Sequence, residues 1–189
     1  MDANEIKYEA LKELGYTEEP NFDADDDNAV NALNGSYNRM YELALTSYDW
    51  SFAKQIGYLD RKDDTTRKYK YYYELPEGCL YVRGIYSDER YSHPVDRYER
   101  DGLFIYTDSP TVYVVYTKKV DEEELPAYFT EYFIYLLARK NCTKITGDND
   151  LLNEMLQNEQ VAYSVAKNTD IKQQEVRILD TSVFTAVRN

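Results

Sequence analysis

Between Tyr69 and Tyr86 the chain reads Tyr-Lys-Tyr-Tyr-Tyr-Glu-Leu-Pro-Glu-Gly-Cys-Leu-Tyr-Val-Arg-Gly-Ile-Tyr, and this stretch predicts extended backbone. Aromatic and β-branched residues crowd both halves, as on a pleated, half-buried surface. Pro76 presets φ and removes a ladder donor, and Gly78 tolerates positive φ, so Leu75-Pro76-Glu77-Gly78 marks a turn between two strands. In the second run Leu80, Val82 and Ile85 form the apolar face, with Tyr81 and Arg83 directed the other way. No side chain here has an evident catalytic task. The stretch reads as scaffold with a tyrosine-rich surface, and Leu75, Pro76, Leu80 and Val82 are assigned to its core.

More strands follow. Residues 95–99 and 103–107 flank Arg100-Asp101-Gly102, a strong hairpin signal. A turn at 108–111 leads into Val-Tyr-Val-Val-Tyr-Thr at 112–117. Residues 58–117 therefore predict an antiparallel β module built of hairpins. The polar run at 60–70 interleaves basic residues with Tyr69, but it also holds three acids, so it reads as a solvated hairpin tip and not as a nucleic-acid patch.

Helical periodicity takes over on both sides. Ile6, Ala10, Leu11 and Leu14 line one face of a short helix, with Gly15 suited to end it. The acidic run starting at Asp23 opens like a calcium loop. It then fails the pattern, because Asn28 stands where Gly is needed and Asn34 where the bidentate Glu is needed. It reads instead as an N-cap with acids on the positive end of a helix dipole. Val30, Leu33, Tyr37, Met40, Ala44 and Ser47, widened by Tyr41 and Leu45, form the stripe of the longer helix that follows. Trp50 and Phe52 alternate as in a strand, so the chain is expected to leave the helices here with both residues in the core. Acids and Pro126 open a second helical region, whose face carries Leu125, Tyr128, Phe129, Tyr132, Phe133, Leu136 and Leu137. After Gly147 a last helix shows a thinner stripe, Leu152, Met155, Glu159, Ala162, Ala166 and Thr169, with Leu151, Leu156 and Val165 beside it. The tail at 173–189 carries Val176, Ile178, Leu179, Val183, Phe184 and Val187, a pattern suited to docking on a partner's sheet or groove.

Charge narrows the function classes. The 189 residues include 35 acids against 22 Lys and Arg, a formal net charge of -13. Such a chain is poorly suited to gripping nucleic acid or an anionic membrane surface. With 21 Tyr against 6 Phe and 1 Trp, the aromatic content favours surfaces buried against other proteins. Cys79 and Cys142 fall in apolar segments and read as buried free thiols. His93 is the one histidine, so no histidine-based metal cluster or catalytic pair is expected. The N-terminus lacks a signal-peptide pattern and no apolar run is long enough to span a bilayer, so synthesis in the cytoplasm is expected. Among the many carboxylates no catalytic pair stands out, and nucleophile and phosphate-loop motifs are missing. The expectation is a protein that is not an enzyme and holds no cofactor and no metal.

The order of these segments resembles the head-to-tail adaptors of short-tailed bacteriophages, the tail tubular protein A family. There a long helix closes on a Trp-x-Phe-Ala-like sequence and an aromatic block of the form Tyr-x-Leu-Pro-x-Asp/Gly-Cys-Leu-x-Val follows. Trp50, Phe52, Ala53, Tyr73, Leu75, Pro76, Cys79, Leu80 and Val82 match those places, and the similarity runs over residues 5–170. Bulky tyrosines stand in the 132–141 helix where the family is richer in alanine, and the tail beyond Asp170 has no counterpart. The resemblance implies an α+β fold: an antiparallel helical bundle (4–50 and 121–172) with an inserted antiparallel β module (51–120) and an extended C-terminal tail, all one adaptor domain. It further implies a homo-oligomeric, dodecameric ring in the virion, between the portal protein and the tail nozzle protein. Genomic DNA would pass the channel without specific binding, and no membrane is involved. Contacts to the portal or a neighbouring subunit are assigned to Tyr71, Tyr73 and the tail residues above. The competing reading is a tail-associated carbohydrate-binding module whose tyrosines stack on sugar rings.

Overall fold

The computed structural model describes residues 1–24, 27–63 and 68–173. The fold is α+β, with two helices on either side of a seven-stranded β region. Helix α1 (Ala3–Glu13) begins at a reciprocal cap in which the Asp2 carboxylate accepts the N–H groups of Asn4 and Glu5, and the Glu5 carboxylate accepts the N–H of Asp2. It ends at Gly15, whose φ of +92° closes the turn without a Cβ penalty. Helix α2 (Asn28–Thr46) starts at Asp27, whose carboxylate accepts the N–H of Ala29. Its buried face carries Val30, Leu33, Tyr37, Met40, Tyr41, Ala44 and Leu45, the stripe expected from spacing except Ser47, which is exposed at the C-cap. Helix α3 (Ala127–Ile145) follows a 3-10 turn at Glu122–Glu124, and helix α4 (Asn149–Gln173) follows Gly147 at φ +68°. Asp148 caps α4 by accepting the N–H groups of Asp150 and Leu151. Helix α3 is the centre of the bundle, packed against α1, α2 and α4.

The strands are β1 (Lys54–Leu59), β2 (Arg61–Asp63), β3 (Tyr71–Glu74), β4 (Cys79–Tyr86), β5 (Tyr98–Asp101), β6 (Phe104–Thr107) and β7 (Val112–Lys118). They form two antiparallel sheets, ordered β1-β7-β4 and β2-β3-β6-β5. The chain changes sheets at Asp60 and again at Leu75–Gly78, where Gly78 takes φ +74°. The Leu-Pro-Glu-Gly turn is therefore a corner between sheets, not the tip of a hairpin. Only β2-β3 and β5-β6 are sequence-adjacent pairs; β1-β7, β4-β7 and β3-β6 join distant segments. This corrects the expectation of a module made of hairpins. Burial of β7 from Val112 to Thr117 is nearly continuous, with Tyr113 the half-buried exception, because it is the central strand of its sheet, flanked by β1 and β4, with Val112, Val114 and Tyr116 in the β core. Leu59, Tyr73, Leu75, Ile85, Ile105, Val112, Val114 and Tyr116 fill the space between the two sheets.

Four sequence readings change in detail. Trp50 and Phe52 lie in a turn, not in a strand; Trp50 is fully buried among the helices and Phe52 is half-buried against Phe129. Leu80 and Val82 do not share a face, because the β4-β7 register shifts between Cys79 and Tyr81 and again between Val82 and Gly84. These irregularities turn Leu80 toward the helical core, while Val82 stays against the β core. Leu75 is buried, whereas Pro76, Leu80 and Val82 are half-buried. Cys142 is buried, but Cys79 is half-exposed, and partial burial pushes its thiol above the usual range. The tail residues Val176, Ile178, Leu179, Val183, Phe184 and Val187 lie outside the described residues.

Candidate subunit and partner interface

The two halves of the molecule meet at one polar joint. Asp170, fully buried near the end of α4, accepts the Ser51 N–H at 3.0 and 3.1 Å, the Ser51 hydroxyl at 2.7 Å and the Tyr128 hydroxyl at 2.9 Å. Burial and this contact push the Tyr128 hydroxyl far above the usual tyrosine range. From the β side, Arg83 reaches across. Its Nη2 donates to the Trp50 carbonyl at 2.8 Å and its Nε donates to the Thr117 hydroxyl at 2.9 Å, with Asp49 at 3.4 Å. Burial lowers the guanidinium from its ordinary value, while Asp49 and Asp170 oppose that. The local shift of β4 register at Gly84 is what aims Arg83 inward. Below the joint, Trp50 donates its indole N–H to the Ala44 carbonyl at 2.9 Å and meets Phe129 and Tyr163 edge-on. The β region is thus anchored to the bundle by residues 49–51, 83, 128 and 170, which gather the C-terminal ends of α2 and α4 and the N-terminal end of α3.

Away from the joint, the first sheet presents tyrosines in a line. Strand register places Tyr58 of β1 opposite Tyr113 of β7, and Tyr113 opposite Tyr86 of β4. Tyr58 and Tyr113 meet edge-on at 5.4 Å, and Tyr91 reaches in from the following loop to touch both Tyr113 and Tyr86. Tyr58 is 56% exposed, and Tyr81, further along β4, is 51% exposed. Tyr91 has φ +53°, a left-handed conformation unusual for a bulky residue. The loop holds it there: the Asp88 carboxylate accepts the N–H groups of Arg90, Ser92 and His93, and lies 3.2 Å from His93 Nδ1. His93 serves this loop clip. Such a row of rigid rings with polar tips suits contact with another protein surface or with sugar faces.

The residues assigned from sequence separate in the structure. Tyr73 is fully buried in the β core, and its hydroxyl donates to the Ser109 carbonyl at 2.6 Å, so it is not a contact residue. Inter-sheet packing closes over this side chain. Tyr71 is half-buried under the Arg61 guanidinium, 4.7 Å from its ring centre. The Tyr58, Tyr113, Tyr86 and Tyr91 row was missed, because it depends on pairing between strands more than 50 residues apart. Among the described residues no group of three or more His, Cys, Asp or Glu is placed to hold a metal, and no helix is long and apolar enough to cross a membrane. No protein-family model and no curated protein matches this sequence.

Proposed function

We propose that the protein is a structural virion component: a ring-forming adaptor between a portal and a tail nozzle, through which DNA passes. The observation that carries this reading is the architecture, a β region inserted between the two halves of a helical bundle and anchored at the joint of Trp50, Arg83 and Asp170. A ring needs two different surfaces on each subunit. The tyrosine row is well suited to be one of them, and its rings supply large contact area at small entropic cost. The net charge of -13 supports the same reading, because acidic walls repel phosphate and keep a passing genome from adhering. The role is one of joining and involves no bond chemistry. The tail apolar residues are proposed to reach the portal or the next subunit.

The test is to mix the purified protein with the portal ring of its own virus and image both by negative-stain electron microscopy, with the protein alone as control. Added density with rotational symmetry at one end of the portal is expected. A protein that leaves the portal bare and instead binds immobilised glycans would overturn the adaptor reading in favour of the carbohydrate-binding module.

A further inference from the structure

Among the described residues, helix α4 leaves Glu154, Val161, Val165, Asn168 and Lys172 exposed along one side, with Asn158 half-buried beside α3. Its buried side carries Met155, Ala162, Ala166 and Asp170, and Tyr163 lies on one flank, its ring 4.9 Å from Tyr132 and its hydroxyl donating to the Ser47 carbonyl at 3.0 Å. Val161 and Val165 stand two residues to either side of Tyr163, and they are 65% and 55% exposed. Asn158 and Asn168 stand five residues to either side, and Glu154 and Lys172 nine. At about 100° per residue these six positions all fall within about 40° of the direction opposite Tyr163. The two valines form a ridge shared by two shallow depressions. One runs between α3 and α4, beside Tyr128, Glu131 and Tyr135; the other is flanked by Gln157, Gln160 and Ser164.

The order along this face is Glu, Asn, Val, Val, Asn, Lys. Laid antiparallel on a copy of itself, it matches at every position. Val161 meets Val165, Asn158 meets Asn168, and Glu154 meets Lys172, from either end. We infer that α4 is a two-fold self-association surface, on which a second copy of this chain docks its own α4 antiparallel along this seam. Two-fold pairing requires one patch that is complementary to itself, and this is such a patch. The spacing of four and three between successive positions is that of a helix-pairing seam, with an apolar centre, amides that specify register and charges at the ends.

Charge on the neighbouring elements favours the same occupant. Glu154 shares its corner with Glu13 of α1 and Glu131 of α3, and the Glu13 carboxyl is raised by burial first and then by Glu131, Glu9 and Glu154. Lys172 of a second copy would add a positive charge to that corner, where Lys12 alone opposes the acids. The seam from Glu154 to Lys172 is about 27 Å long at 1.5 Å per residue, and only two valines per chain lie at its centre, so the pairing is weak and concentration-dependent. A ring interface joins two different patches, whereas this one joins identical patches. The inference is therefore independent of the adaptor reading, and it describes a second association state of the free chain.

The test is sedimentation velocity on the full chain from about 5 µM to about 500 µM, a range that brackets a micromolar dissociation constant. The expected result is a shift from the 22.3 kDa monomer toward twice that mass. Val161→Glu and Val165→Glu each place two like charges in the seam and are expected to weaken association at least about tenfold. Both side chains face water in the single chain, so circular dichroism should be unchanged. Glu154→Lys and Lys172→Glu are each expected to weaken pairing, and the double exchange to restore it, since every contact is then again between opposite charges. A chain that stays monomeric throughout, or associates equally well with Val161→Glu, overturns the inference. So does a double exchange that remains as weak as the singles, because the register would then be wrong.

Discussion

Asp170→Ala probes the joint on which the arrangement of helices and sheets depends. The carboxylate is fully buried and gathers the Ser51 N–H, the Ser51 hydroxyl and the Tyr128 hydroxyl. Hydrogen bonds to a charged group contribute about 1.5–3 kcal/mol each, and removing the acceptor leaves their donors partly desolvated. Ser51 and Tyr128 are half-buried, so water can reach them and the three losses do not add in full. Arg83 also loses a nearby counter-charge and keeps only the largely exposed Asp49. Together these give a loss of about 3–5 kcal/mol, a large share of the roughly 5–15 kcal/mol that holds a domain folded. For a chain of this size that corresponds to a fall in Tm of roughly 6–20 °C. Asp170→Asn keeps one acceptor oxygen but turns an amide donor toward Ser51, and about half the loss is expected. The assay is urea unfolding followed by Trp50 fluorescence. Trp50 is the single tryptophan and is fully buried beside the joint, so its emission reports directly on this region. The midpoint should move while the slope stays constant. A loss below about 1 kcal/mol for Asp170→Ala would refute the view that this carboxylate ties the β region to the bundle.

Three further perturbations follow. Tyr73→Phe removes the hydroxyl that donates to Ser109 and is expected to cost about 1 kcal/mol near neutral pH, measured by urea unfolding. Burial pushes the Tyr73 hydroxyl up to about 12, so the folded state holds this proton more tightly than the unfolded chain does. Its stabilisation is complete below the unfolded value near 10 and fades as pH rises toward about 12, so the wild-type advantage over Tyr73→Phe should shrink across that window. Glu13 has a raised carboxyl, so its ionised form opposes folding above the folded value, and that penalty disappears as pH falls below the unfolded value. Glu13→Gln should therefore be more stable than wild type at pH near 7, by roughly a few tenths of a kcal/mol after solvent screening, and indistinguishable in strong acid, in thermal melts at each pH. Gly78→Ala forces a Cβ into φ +74° at the corner between sheets and should cost about 1–2 kcal/mol, read from thermal melts.

How much was legible varied with how local the signal was. The stripe of α1, that of α2 apart from Ser47, and the glycines at 15, 78, 102 and 147 all work within one or two turns of backbone, and they appear in the structure where spacing put them. The hairpin read at Arg100-Asp101-Gly102 also exists, but its two-residue turn is Gly102-Leu103, because Asp101 still pairs with Phe104 in the β5-β6 ladder. The side assigned to Leu80 was not legible, because alternation assumes an unbroken ladder and β4 has two register shifts. Trp50 and Phe52 read as strand residues for the same reason. Alternation over three positions cannot be told from a turn that tucks both rings under α3. Tyr71 and Tyr73 show the limit most clearly: they stand two apart on one strand and differ in exposure, because Tyr73 lies within the β core while Tyr71 packs at its margin.

By itself the sequence determined the inventory: four helices, a β region between the pairs, the faces that must be buried and the acidic surface. Periodicity, caps and turn residues act over a few positions, so a linear string is enough to specify them. Only the tertiary structure decided how β1, β4 and β7 pair, and hence that Tyr58, Tyr113 and Tyr86 form a row. It also decided that Arg83 and Asp170 meet residues 49–51 from opposite sides. Each of these contacts joins segments more than 25 residues apart, and their energy comes from burial and pairing that exist only after the chain has closed on itself.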